Sequence, residues 1–196
     1  MAAGVRRWAP FALVLVGPAA ALLVTLLHPG PSGHWSGHLA AAGGSVGVAV
    51  ALVVGLCVVR PRLPAAALAS LVVVGAGLAL EAVGNIRAAR SLWETTYDDA
   101  EAGTYGPLYD GYEWGHTVAE RGDTVVILGS LAFAVALGLH RRVGVRVAVA
   151  GGVLAFWPPW VYPALGPVLL LAWVHARART HDRAAAPDPP VVVPTE

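Results

Sequence analysis

Lysine is absent from this chain: all thirteen basic residues among its 196 are arginine. A Schiff-base mechanism needs a lysine amine, so that chemistry is excluded. Cysteine is nearly absent too. Cys57 is the only one, which rules out an intramolecular disulfide and any CxxC metal or redox motif. Because it sits inside an apolar run, it reads as a small hydrophobe. Charge is equally scarce, at 13% of residues with a formal net charge of +1, against roughly 25% charged in ordinary soluble domains. A balance this close to neutral, with no arginine cluster interleaved with aromatics, excludes a nucleic-acid surface. No Walker loop, GxSxG elbow, HExxH helix or Rossmann glycine fingerprint occurs in a suitable context, which sets aside ATPase, serine hydrolase and zinc protease.

What the chain does have is apolar surface. Hydrophobic residues make up 57% of it and the mean hydropathy is +0.65, so lipid rather than water is the expected solvent. A span needs about 20 mostly apolar residues. Such runs predict an all-α, polytopic transmembrane helix bundle forming one domain over residues 1–180, followed by a disordered tail at 181–196. The expected spans are 8–28, 38–59, 63–90, 112–140, 143–157 and 160–176, with a loop at 91–111. The first, preceded by Arg6 and Arg7, reads as a retained signal anchor. Gly43 and Gly47 supply a GxxxG spacing for helix packing. Asp110 and Glu113 form a capping-box pattern that predicts where the fourth span starts.

The last two spans rest on two arguments. Residues 147–176 contain no Asp, Glu, Lys or Arg but are broken by four prolines. A turn at Pro158 and Pro159 would put Trp157, Trp160 and Tyr162 at the interface, where such rings favour lying. Six spans also gather Arg6, Arg7, Arg60, Arg62, Arg141, Arg142, Arg146, Arg177, Arg179 and Arg183 on one side, leaving Arg87, Arg90 and Arg121 on the other. This satisfies the positive-inside rule better than five spans do. The predicted location is therefore the cell (inner) membrane, multi-pass, with both termini cytoplasmic.

Polar chemistry collects toward the outer side of this topology. Nine of the twelve acidic residues lie between Glu81 and Asp123. Glu113, His116, Glu120 and Asp123 are spaced by three, four and three, so they share one helical stripe. Ionisable groups at membrane depth usually face a bundle interior, and Glu81 with Asn85, one turn apart on the third span, could meet that stripe if the helices pack antiparallel. Arg87, Arg90 and Arg121 are then available as partners. Glu113-Trp-Gly-His116 has the Glu-x-x-His spacing of carboxylate-bridged metal centres, but such centres use it twice, and one copy predicts no metal site. His34 and His38 follow Pro31 and Gly33 and are expected in a loop as interface histidines. Trp93, Tyr97, Tyr105, Tyr109 and Tyr112 suit a partner interface or an aromatic belt.

Gly84-Asn85-Ile86-Arg87 with Leu92, then a polar loop, then Trp114 and Arg121 seven positions apart ahead of an Ala- and Leu-rich span, resembles the anthrone-oxygenase-like family of small membrane proteins. The chain departs from that pattern at Arg87 and Ala89, where the family shows a Pro and a second Asn, and at Val118, where it shows an Asn. The resemblance implies that Asn85, Trp114, His116 and Arg121 line a pocket for an apolar or aromatic substrate, without a tightly bound organic cofactor.

Three functions follow as expectations. One is a membrane-embedded enzyme acting on a lipophilic small molecule, with His116 as acid or base oriented by Glu120 or Glu113 and Glu81, Asn85, Trp114, Arg121 and Asp123 holding the substrate. Another is a small transporter or carrier subunit whose carboxylates take a proton or cation. The third is an accessory or assembly protein with purely structural charge pairs. The one partner common to all three is the lipid bilayer; no cofactor is named by the residues.

Overall fold

A computed structural model of the chain describes residues 34–59, 63–94, 106–140, 142–156 and 164–184, with Ala19 and Leu23 besides. The rest of the expected first span, residues 95–105 of the loop, the proline turn at 157–163 and the tail beyond 184 lie outside the described residues. Among the described residues every element is helical. They are α1 (His34–Val59), α2 (Ala65–Glu94), α3 (Gly106–Leu139), α4 (Val145–Val153, continued by a 3-10 turn at Leu154–Phe156) and α5 (Leu165–Ala184).

Alanine, leucine and valine dominate the three long helices, and prolines fall at their edges. Pro64 precedes α2, its carbonyl accepting from the N–H groups of Ala67 and Leu68. With 26, 30 and 34 residues, α1, α2 and α3 are about 39, 45 and 51 Å long, against a hydrocarbon core of roughly 30 Å. Gly37–Cys57, Ala65–Leu92 and Asp110–Leu139 are long and apolar enough to cross a membrane. These three apolar helices point to a membrane location for the protein.

Two boundaries differ from the sequence expectation. The third helix starts at Gly106 rather than near Tyr112, so Asp110 lies inside its second turn and is not an N-cap. Pro107 explains the start, since a proline in the first helical turn gives up an N–H that has no intrahelical partner there anyway. The first described helix starts at His34, so both histidines are helical rather than in a loop, and His38 stands one turn into α1. Residues 147–176 do divide into two helices. A Cβ on Gly166 would lie 3.7 Å from the Ala155 nitrogen and one on Gly151 2.6 Å from Leu170 Cδ1, pairs that run in opposite directions and make α4 and α5 antiparallel neighbours. Twelve helical residues from Val145 to Phe156 span about 18 Å, and the apolar part of α5 is Leu165–Arg177, so over their described residues both are shorter than the three long apolar helices.

The most extensive contact is between α2 and α3; α1 packs chiefly on α2 and also on α5, and α4 lies against α3 and α5. Small residues make the α2–α3 seam. A Cβ at Gly84 would lie 2.5 Å from the Ala119 nitrogen, one at Gly115 2.7 Å from that of Ala88, and one at Gly122 2.6 Å from that of Glu81. Gly77 against Val126 and Gly129 against Val74 continue the pattern at 2.7 and 2.9 Å. Each glycine stands seven residues from the next on its own helix, and the paired numbers sum to 203, the signature of an antiparallel heptad seam. In lipid such contact is driven by close packing rather than by water exclusion. Gly43 and Gly47, the spacing prominent in the sequence, are only half-buried on α1.

The bundle is divided along its length. Val48, Ala51, Leu52, Leu71, Val74, Leu78, Val126, Phe133, Leu137, Leu170 and Leu171 form an apolar core at one end. At the other end Ser45, Glu81, Asn85 and Ser91 are buried among small residues such as Ala82, Ala88, Ala89 and Ala119, while the buried Ser70, Ser130 and His175 lie outside that end.

Candidate functional site

The polar end is built from α1, α2 and α3. Glu81, on α2, is 2% exposed, and its Oε2 accepts a hydrogen bond from Ser45 Oγ of α1 at 2.7 Å. Ser45 Oγ is also 3.0 Å from the Ala41 carbonyl one turn back. One hydroxyl proton thus faces two acceptors. Glu81 Oε1 has no hydrogen-bond partner among the described residues. The Asp123 carboxyl interacts with Glu81 across the α2–α3 seam, next to the place where Gly122 lets the helices touch.

One turn along α2, Asn85 fixes a second junction. Its Nδ2 donates to the Glu81 backbone carbonyl at 3.0 Å, so its Oδ1 is the acceptor that receives His38 Nδ1–H at 2.7 Å. That bond sets the His38 tautomer. The His38 ring stands edge-on to Tyr112, 5.6 Å between centroids, and to His116 at 6.1 Å. Tyr112 and His116 stack on each other at 5.8 Å and 8°. His116 Nε2 lies 3.2 Å from Glu120 Oε1, and both side chains are open, at 49% and 66% exposure. His116 and Glu120 also act on Asp123. The exposed Glu120–His116 pair and Asp123 thus lie along one stripe of α3 and act on one another by charge, with the buried Glu81 across the seam from Asp123.

The predicted site residues divide between two faces of the α2–α3 pair. Glu81, Asn85, His116, Glu120 and Asp123 belong to the cluster on the α1 side. Trp114, two residues from His116 and hence turned about 200° from it, is 54% exposed on another face. There it lines a groove of about 780 Å³ with Val83, Ile86, Arg87, Arg90, Asp110 and Gly111. Arg121 is exposed on the Trp114 side of α3, and Glu113 is exposed and takes no part in the contacts of the cluster. Arg87 and Arg90 line the groove, while the groups acting on Glu81 are Ser45 and Asp123. Among the described residues no three His, Cys, Asp or Glu side chains converge as metal ligands would.

Sequence reasoning missed Ser45, and it placed His38 and Tyr112 at an interface rather than in the cluster. A signal existed. His38 and Ser45 are seven apart, as are His116 and Asp123, and both pairs follow the period of the glycine seam. Comparison of the chain with protein-family models, with curated proteins and with solved structures finds no match.

Proposed function

We propose that this protein handles protons inside the membrane, its Glu81–Asp123 centre being the ion-binding site of a small carrier that loads from the face bearing His116 and Glu120. The observation that carries this is the proton count at Ser45, whose hydroxyl lies 2.7 Å from Glu81 and 3.0 Å from the Ala41 carbonyl. A proton on Glu81 donated to Ser45 Oγ fills both contacts at once, because Ser45 then donates to Ala41. Two facing carboxyl groups at membrane depth are incompatible with two bare charges. A purely structural role is disfavoured by the same inventory, since among the described residues no cation is one of the groups acting on Glu81 and a buried charge pair needs one. The finer topology belongs to this proposal: six spans, both termini on the arginine-rich cytoplasmic side, and the polar end of the bundle facing outward.

Two measurements on the full chain in liposomes test the centre. Infrared spectra recorded across a pH titration should contain a carboxylic C=O band that is lost in Glu81→Gln and shifted in Ser45→Ala. Vesicles with a trapped pH dye should show proton uptake under an imposed potential, slowed in the same variants. A spectrum identical in wild type and Glu81→Gln rejects the proposal.

A second reading, a membrane-embedded enzyme of the kind the anthrone-oxygenase-like resemblance implies, is favoured by the 3.2 Å His116–Glu120 pair, which has acid–base geometry. The exposure of both residues and the separation of Trp114 and Arg121 from them weigh against an enclosed pocket.

A further inference from the structure

Ser130 is a buried polar residue that the Glu81–Asp123 centre does not use. It is 0% exposed on α3, with Val126, Phe133 and Leu137 buried beside it on the same helix, and its Oγ has no hydrogen-bond partner among the described residues. A hydroxyl inside a helix commonly turns back to the carbonyl four residues earlier. Ser45, Ser70 and Thr124 do so here, reaching Ala41, Ala66 and Glu120 at 3.0, 2.9 and 3.1 Å. Ser130 does not, although an unpaired buried hydroxyl is costly and alanine would fill the position without that cost.

Its direction follows from its neighbours on α3. Val126 and Gly129 lie against α2, whereas Leu131, Ala134 and Gly138 lie against α4; at 100° per residue Ser130 stands between the two sets and points into the middle of the bundle. Asp123, seven residues earlier, shares that face. Ser130 is therefore about 10 Å farther along the helix, on the side away from His116 and Glu120. The first turn of α5 comes to the same level. Gly152 of α4 lies against Leu131 and Ala134. One turn on, the 3-10 turn Leu154–Phe156 packs on both α3 and α5, and its Ala155 lies against Gly166. The first N–H groups of a helix have no intrahelical acceptor. In α5 the Val168 N–H donates to the Ala164 carbonyl at 3.3 Å and Pro167 has no N–H, which leaves those of Leu165 and Gly166.

We propose, on the reading of Glu81 and Asp123 as a proton site, that Ser130 and the opening turn of α5 hold water that relays protons between this centre and the inner side of the bundle. Buried water is kept where several polar groups converge on it. The α5 N–H groups donate to the water oxygen, and Ser130 both accepts and donates. Only O–H bonds change: as the Ser130 oxygen accepts a hydrogen from the water, its own hydroxyl proton passes on, and nothing is oxidised or reduced.

The test follows proton uptake by the full chain in liposomes with a trapped pH dye, beside the infrared carboxylic band and the thermal midpoint in detergent. Ser130→Ala should keep the band and the midpoint, because it removes an unpaired hydroxyl, yet slow uptake by about fivefold or more, the effect of one hydrogen bond lost from the path. Ser70→Ala, which removes a buried hydroxyl bonded to its own helix, should leave uptake unchanged. Wild-type uptake by Ser130→Ala beside slowed uptake by Glu81→Gln overturns the relay alone and leaves the centre standing. Wild-type uptake by Glu81→Gln removes the centre and the relay with it. A lowered midpoint in Ser130→Ala, or equal slowing by Ser70→Ala, makes the hydroxyl structural and also overturns the relay.

Discussion

Asn85 is the residue on which the polar cluster turns, because its amide has one end on Glu81 and the other on His38. Both bonds lie in a partly or fully buried place, where an amide left unsatisfied is costly. Asn85→Ala should lower stability by about 1–3 kcal/mol, seen as a lower thermal midpoint in detergent. Adding His38→Ala should cost less than its effect alone, since the shared bond has already gone; strictly additive losses in that double-mutant cycle contradict the bond. The types of these residues were readable from the chain, and Asn85 stood out as a polar side chain in an apolar run. Their partners were not. Ser45 is one small hydroxyl in a helix of alanine, glycine and valine, and only its placement 36 residues before Glu81 yet 2.7 Å away gives it meaning.

At the scale of elements the governing feature is the glycine heptad between α2 and α3. Gly77 and Gly75 offer an internal contrast on one helix. A Cβ at Gly77 would lie 2.7 Å from the Val126 backbone, whereas one at Gly75 would meet nothing within 4 Å. Gly75→Ala should therefore be neutral or stabilising by up to about 1 kcal/mol through helix propensity. Gly77→Ala, and more so Gly84→Ala or Gly115→Ala against bare backbone, should push the helices apart and cost about 1–3 kcal/mol. Resistance to unfolding by sodium dodecyl sulfate would rank them; equal behaviour of Gly75→Ala and Gly84→Ala contradicts the seam. The repeat itself was visible in the sequence at 77 and 84 and at 115, 122 and 129. In a chain with 23 glycines, however, spacing alone does not say which glycines face a neighbour, as the half-buried GxxxG of Gly43 and Gly47 illustrates.

For the whole molecule the proposed six-span topology has a direct consequence for labelling. Cys57 is exposed on α1, so it must be replaced first. In the resulting background, single cysteines placed at Arg62, Arg142 and Val192 should react with a membrane-impermeant thiol reagent only from the cytoplasmic side, and one at Ala100 only from outside. Labelling of Val192 from outside gives five spans.

Composition by itself determined the class of molecule, because a chain this apolar with so few charges has lipid as its natural solvent and a helix as the way to satisfy its backbone there. The length of the apolar runs likewise marked the three long helices, and the fixed repeat of an α-helix marked the stripe running through His116 and Asp123. The length of α3 was underestimated because a capping box at Asp110 competed with Pro107, and a local pattern cannot rank the two. Only the tertiary structure decided which residues form one site. It drew α1 into the cluster through His38 and Ser45, and it separated Trp114 and Arg121 from His116 by turning them to another face. That division depends on which face of each helix touches a neighbour, and the choice is made by backbone contact at Gly84, Gly115 and Gly122, between segments far apart in the chain.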